Sequence, residues 1–255
     1  MLLVIDVGNT NITIGIYDGD DLCASFRLST KDRTRTSDEF GIELYNLLHA
    51  KNIKASDIKS TIISSVVPNL MHSLTNAIYK YFNMEPLIVG PGIKTGLSIH
   101  IDEPRSLGAD RIVDAVAAYT IYGGPILVLD FGTATTYDFV SADGVFECAV
   151  TAPGIEICAE AMWSKAAQLP KIEIKKPASI LAKNTITSMQ AGVVFGYIGS
   201  VEYIISAMKK ELGCGCKVVA TGGLGRIIAS ETKMIDEYDP DLTFKGMKII
   251  YEKNS

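Results

Sequence analysis

The chain has 255 residues, 47% of them hydrophobic and 21% charged, with a formal net charge of -5 and a pI near 5.3. That length supports one large domain or two halves of about 120 residues each. An acidic balance with no long basic run excludes the electrostatic footprint of a nucleic-acid binder.

Cys23, Cys148, Cys158, Cys214 and Cys216 are odd in number and irregularly spaced. They read as reduced, structurally incidental thiols rather than a disulfide framework. No second Cys or His cluster accompanies Cys214-Gly215-Cys216, so the pair is not read as a metal site. The N-terminus enters a strand directly, without a basic and apolar leader, and no run of 18 apolar residues occurs. The expectation is a cytoplasmic protein with no membrane segment.

In chain order, 2–5 and 12–18 read as strands, Gly19-Asp20 as a hairpin turn and 22–28 as a third strand. Phe40, Leu44, Leu47 and Leu48 follow helical spacing, with Ser37 or Asp38 suited to the N-cap. A strand at 60–68 is stopped by Pro68, a helix covers 70–82 and a strand 86–90. A glycine-containing loop, 91–99, precedes an Ala-rich amphipathic helix over 108–123. The pattern then restarts: strand 125–132, strand 135–141, a turn and strand 145–151. A helix over 155–169 ends at Pro170, and 184–212 reads as a long helix or helix pair. A strand at 217–223 runs into a glycine turn, a helix starts near 224, and 244–253 closes the chain.

The restart is an internal duplication. Aligning Leu3–Asp18 with Leu127–Ala142 pairs Asp6 with Asp130, Gly8 with Gly132 and Thr10–Thr13 with Ala134–Tyr137. Two α/β halves, 1–120 and 121–255, each opening on a β-hairpin, would face each other across a cleft. The boundary falls near Tyr119–Pro125.

The chemistry of the hairpins follows from residue type. An Asp at a strand end suits hydrated Mg²⁺. Gly8 lets a phosphate approach the backbone. Asn9, Thr10, Asn11 and Thr13 add donors to an anion cradle. Asp130, Gly132, Thr133, Thr135 and Thr136 repeat the kit. One such turn is equally an ordinary strand cap; two matched copies at the starts of two matched halves point to a polyphosphate grip. The chain carries no Walker A loop and no G-x-G-x-x-G. Ala220–Gly225, "ATGGLG", reads either as a flat surface for a nucleoside or as a tight strand-to-helix turn. Asp110 and Asp114 share a helix face, and the adjoining Arg111 suits a carboxylate. Asp110 near a helix start is also favoured by the dipole alone.

Taken together, "DVGNTNITIGIYDGD", "SSVVP", "VGPGIKTGL", "GADRIVDAVAAY", "VLDFGTATTYD", "APGI", "AAQLP", "KNTITSMQAGVVFGYIG" and "ATGGL" occur in the order and at about the spacing of type III pantothenate kinases. The resemblance spans Leu2 to about Tyr251. It implies an α/β fold of two duplicated ribonuclease-H-like (actin-like ATPase) domains around a nucleotide cleft. It implies ATP-dependent phosphorylation of pantothenate to 4'-phosphopantothenate, the first step of coenzyme A biosynthesis, by a homodimer. It places ATP at Asp6, Val7, Gly8, Asn9, Thr10, Asn11, Ile12, Thr13 and Thr133. Pantothenate falls to Gly108, Ala109, Asp110, Arg111 and Thr185, with Asp110 as the catalytic base. Asp130 matches the monovalent-cation position, for K⁺ or NH₄⁺, and Mg²⁺ accompanies the nucleotide.

Two positions depart from the family pattern. Cys148-Ala149 stands where Gly-Gly is usual, and Ile101 where a Tyr is frequent. The alternatives are another small-alcohol or acetate kinase of the same superfamily, and a non-catalytic regulatory paralog.

Overall fold

The computed structural model describes residues 1–32 and 34–255. The elements are β1 (Leu2–Val7), β2 (Asn11–Asp18), β3 (Asp21–Ser29), α1 (Ser37–His49), β4 (Ser60–Ser65), α2 (Pro68–Phe82), β5 (Leu87–Ile88), β6 (Ser98–Ile99), α3 (Ala109–Tyr122) and β7 (Ile126–Phe131). They continue with β8 (Ala134–Val140), β9 (Val145–Pro153), α4 (Ile155–Lys165), α5 (Thr185–Leu212), β10 (Lys217–Thr221), α6 (Gly225–Ala229), β11 (Glu237–Tyr238) and α7 (Leu242–Asn254).

Two sheets share one plan. The first has the order β3-β2-β1-β4-β5 and the second β9-β8-β7-β10-β11, with β6 added beyond β9. In each, the opening strand pairs antiparallel with the hairpin strand that follows and parallel with the strand on its other side. β1 and β7 even share a burial pattern, with the acid as the half-exposed position. Both meanders carry a register irregularity at matching places, Ile16/Tyr17 and Phe139/Val140.

Period two sorts each strand into two faces. Leu3, Ile5, Val7, Ile12 and Ile14 join Phe40, Leu44, Leu70, Leu74 and Ile78 in the first core, under α1 and α2. Leu127, Leu129, Phe131, Tyr137 and Phe139 join Ile155, Val194, Val201 and Ile205 in the second, under α4 and α5. Asp6 and Asp130 therefore lie on the opposite faces of their sheets.

The registers correct the ungapped repeat alignment. Asp6 stands opposite Thr13, whereas Asp130 stands opposite Thr136. The second turn holds Gly132 and Thr133 between its strands, one residue fewer than Gly8-Asn9-Thr10. Asn11–Thr13 thus match Ala134–Thr136, not the residues one further on.

Other local expectations shift for physical reasons. The N-cap of α1 is Thr36, which forms a capping box with Glu39, rather than Ser37 or Asp38. Pro68 occupies the first turn of α2, where its missing N–H costs nothing, and β4 ends at Ser65. The region 184–212 is one helix, capped by Asn184 and ended by left-handed Gly213.

By contacts the chain divides into two compact units: Met1–Gly96, Glu103–Ala117 and Thr243–Ser255 form one, Leu97–Asp102 and Ala118–Leu242 the other. The units interleave in sequence where the duplication alone divides the chain at 120/121. α7 belongs to the first unit because it packs hard on α3: a Cβ on Gly246 would lie 2.2 Å from the Val113 carbonyl oxygen. Thr243 Oγ1 donates to Asp114 at 2.7 Å, and Lys248 Nζ to Asp20 at 2.8 Å. β6, inside the segment read as a loop, joins the second sheet through Ser98↔Val145.

Candidate active site

In the first unit the Gly8-Asn9-Thr10 turn is closed by Gly8 N–H donating to the Asn11 carbonyl at 2.9 Å. Thr30, just beyond β3, braces it: its N–H donates to Thr10 O at 3.0 Å and its hydroxyl to Gly8 O at 2.8 Å. Two carbonyl oxygens of the turn are thereby directed into the protein, which suits an anion-binding turn. Asn9 and Thr10 are exposed, and Asn11 and Thr13 half-buried. The Val7 and Ile12 side chains are core residues, which leaves only their backbone free to meet a ligand.

Asp6 shares its sheet face with Val4. On that face a Cβ at Gly15 would meet Val4 and Phe244 of α7 at 2.8 and 3.2 Å. Asp6 keeps a little exposed surface, but its Oδ1 is sealed and has no hydrogen-bond partner among the described residues. The Asp6 pKa is pushed up to about 7, first by burial and then by the charge of Asp110. Ser64, beside it on β4, offsets part of the rise, although its own Oγ makes no hydrogen bond among the described residues.

Asp110 sits in the first turn of α3. Its Oδ1 accepts from the Arg111 N–H at 2.8 Å. Gly108 keeps this carboxylate where it is, since a Cβ would stand 2.5 Å from that oxygen and push the side chain aside. Burial raises the Asp110 pKa, while the Arg111 N–H and guanidinium pull it down. One helical turn on, Asp114 is buried and accepts from Thr243.

In the second unit the Gly132-Thr133 turn is braced much as Thr30 braces the first. Gly154 N–H donates to Thr133 O at 3.1 Å, and a Cβ on Gly154 would sit 2.3 and 2.5 Å from the Thr133 and Gly132 carbonyl oxygens. Thr133 is exposed. Thr136, opposite Asp130, has a buried hydroxyl with no hydrogen-bond partner among the described residues. Thr135, read as a phosphate donor, instead faces the core: it is 1% exposed and bonded to Tyr197. Strand alternation allows only one of two neighbouring threonines to face the ligand side.

Gly222 presses against Asp130. It has φ +95°, and a Cβ would lie 2.6 Å from Asp130 Oδ1. The "ATGGLG" turn thus frames the carboxylate of Asp130, a role its glycines alone did not announce. Thr185 is exposed at the start of α5. Asp6, the first turn, Gly108–Arg111 and Asp110 belong to the first unit; Asp130, Thr133 and Thr185 belong to the second. Cys148 tucks against the second core and Ala149 is exposed, so β9 accommodates both Cβ atoms. No metal-binding cluster of His, Cys, Asp and Glu occurs among the described residues.

Among the described residues, the buried orphan side-chain polar atoms are on Asp6, Ser64 and Thr136, and all lie at the ends of the strands that bear or pair with the two acids. An unpaired buried polar atom costs about 1–3 kcal/mol. Placement at these ends fits ligand-binding positions.

The family model for type III pantothenate kinases matches residues 2–207. A type III pantothenate kinase from Agathobacter rectalis is 59% identical over 256 residues, covering 100% of this chain and 98% of that protein. The chain belongs to the type III pantothenate kinases. It phosphorylates pantothenate, opening coenzyme A biosynthesis, and as a kinase of this family it uses ATP with a divalent metal.

Solved structures carry the same fold. A chain from Campylobacter jejuni described as a Baf family transcriptional activator is 23% identical, with TM-score 0.62 and coverage of 99% of this chain and 98% of that one. The activator of the 2-hydroxyisocaproyl-CoA dehydratase from Clostridium difficile, with bound ADPNP, is 13% identical, with TM-score 0.54 and coverage of 99% and 95%. These likenesses show the fold alone, the duplicated ribonuclease-H-like fold of actin-like ATPases. α5 has the length and hydropathy of a membrane span, yet Val194, Val201 and Ile205 pack one face of it into the second core.

Proposed function

We propose that pantothenate kinase chemistry is carried out by Asp110 as the base, with Asp6 and the Gly8–Thr13 turn serving Mg²⁺-ATP. The observation that carries this is the coupling of two acids within the first unit: Asp110 lies close enough to raise the Asp6 pKa. Asp6 Oδ1 fits a hard cation or its bound water, being a buried carboxylate oxygen with no hydrogen-bond partner among the described residues. When bound, Mg²⁺ supplies charge neutralisation on the phosphates.

The protein's own contribution is positioning. Phosphoryl transfer passes through a loose transition state, so alignment and electrostatics supply most of the acceleration. The turn amides and the Asn9, Thr10, Asn11 and Thr13 side chains hold phosphate oxygens. Thr133 contacts the nucleotide from the second hairpin. Asp110 orients the primary alcohol of pantothenate and accepts its proton as the new P–O bond forms and the γ-phosphorus bond to ADP breaks, ADP leaving as the second product. Its raised pKa brings it nearer to neutrality, the range in which a base both ionises and accepts protons well. Gly108 and Ala109 leave room beside it. Arg111 meets the substrate carboxylate, and Thr185 adds a substrate contact.

Asp130 is assigned to a monovalent cation, K⁺ or NH₄⁺. Its support is the match to the first hairpin and the side-chain-free surface of Gly222 against it. ATP consumption with pantothenate, in K⁺, NH₄⁺, Na⁺ or no added monovalent ion, tests this: Asp130→Asn should lose the K⁺ response, and an unchanged response rejects the assignment.

The enzyme is assigned as a homodimer in the cytoplasm. On α5, Gly192, Gly196 and Gly199 open onto empty space, and Ile186 and Tyr203 are 52% and 75% exposed. Sedimentation at enzyme-assay concentrations tests the dimer; a monomeric mass throughout rejects it.

A further inference from the structure

We propose that Tyr197 is a positioning residue for phosphoryl transfer: its phenol pins the strand ends that carry the Gly132-Thr133 turn. Tyr197 lies on α5 and is 8% exposed. Its hydroxyl donates to the Pro153 carbonyl at 3.1 Å and meets Thr135 Oγ1 at 2.5 Å. A phenol has one proton. With that proton on Pro153 O, the Thr135 hydroxyl donates to the phenol oxygen, giving a directed chain from Thr135 through Tyr197 to Pro153.

The partners locate the effect. Thr135 stands opposite Phe131 in the last pair of β7 and β8 before the turn, and Pro153 stands opposite Ala134 where β9 ends. Gly154 follows Pro153 and holds Thr133 through its N–H. The phenol thus ties β8, just after the two turn residues, to the end of β9, whose next residue holds Thr133. The core does not need this group. Val194, Ile198 and Val201 around it on α5 are apolar, and a Phe ring fills the same volume. What the hydroxyl adds is a fixed spacing of strand ends, the kind of support that keeps a ligand-binding turn in its productive geometry.

The ring also borders a pocket of about 290 Å³ with Pro153, Gly192, Gly196 and Ser200. Water entering there can satisfy Pro153 O once the phenol is gone, so Tyr197→Phe is expected to fold.

The proposal rests on the reading that the Gly132-Thr133 turn contacts ATP, and the experiment separates the two. Steady-state kinetics and ADPNP binding are measured for Tyr197→Phe, Thr135→Val, Thr135→Ser, the Tyr197→Phe/Thr135→Val double variant and Gly132→Ala, with melting temperatures. Tyr197→Phe and Thr135→Val should each raise the KM for ATP and the Kd for ADPNP about threefold to tenfold, the range set by one lost hydrogen bond. The KM for pantothenate should stay put. Thr135→Ser should restore ATP affinity, and the double variant should be no worse than either single one, because both cut the same chain. Tyr197→Phe with wild-type nucleotide affinity, while Gly132→Ala weakens it, overturns the role of Tyr197. Wild-type affinity in Gly132→Ala removes the turn from the nucleotide site and the proposal with it. Equal losses for ATP and pantothenate with a lowered melting temperature also overturn it, as a purely structural effect.

Discussion

Asp6 on β1 and Asp110 on α3 are electrostatically coupled: the charge of Asp110 adds to burial in pushing the Asp6 pKa up to about 7. Under the proposed roles the pair joins the two chemical tasks of the reaction in one unit, with a phosphate-side acid at a strand end and a hydroxyl-side acid at a helix start. Burial acts on both, and Arg111 moderates the rise at Asp110.

A carboxyl with a raised native pKa stabilises the fold below its unfolded pKa, and that stability is lost as pH rises through the native value. Metal-free enzyme should therefore melt at a lower temperature at pH 8 than at pH 5. Asp20, Asp32, Asp38 and Glu39 have lowered pKa values and act with the opposite sign, at and below the ordinary carboxylate range, outside this window. Melting curves in a chelator across pH 5 to 8 check the slope; a flat or rising profile contradicts it.

Asp6→Asn should flatten that slope and raise the melting temperature of metal-free enzyme at pH 8, while lowering kcat/KM by about 10²-fold or more. Gain of stability with loss of activity is the signature of a group kept for its chemistry. A variant that is both less stable at pH 8 and fully active counts against the assignment.

Magnesium with a nonhydrolysable nucleotide should release protons on binding near pH 7, because a cation favours the ionised form of Asp6. Calorimetry in buffers of different ionisation enthalpy reads the proton count. Asp6→Asn should lower it; an identical count in both proteins contradicts the prediction.

Gly222→Ala places a Cβ 2.6 Å from Asp130 Oδ1 and from the Phe131 backbone, at a φ that L residues rarely adopt. The expected cost is about 1–3 kcal/mol of stability, with any K⁺ activation weakened. Denaturant unfolding and a K⁺ titration check both, and a wild-type unfolding midpoint contradicts the contact.

Much of this was legible in the chain. Asp6 and Asp130 end apolar runs that are followed by glycine and small polar residues, and the two copies expose each other. The one-residue difference between the turns was not legible, because small polar residues on both sides of the gap align equally well without it. Reading both Thr135 and Thr136 as donors from residue type put Thr135 on the ligand side, where alternation forbids it. The return of α7 to the first unit was hidden for another reason. It depends on Gly246 meeting Val113 and on Thr243 meeting Asp114, contacts between segments far apart in sequence. Ser64 opens the "SSVVP" segment, yet nothing in that segment gave it a role; the parallel register of β1 and β4 brings it beside Asp6.

The most direct test is the rate of 4'-phosphopantothenate formation by Asp110→Asn at saturating Mg²⁺-ATP and pantothenate, with nucleotide affinity measured alongside. Loss of a general base predicts a fall of about 10²–10⁴-fold in kcat with ATP still bound. A kcat within about threefold of wild type, less than 1 kcal/mol of barrier, would show that the proton leaves by another route.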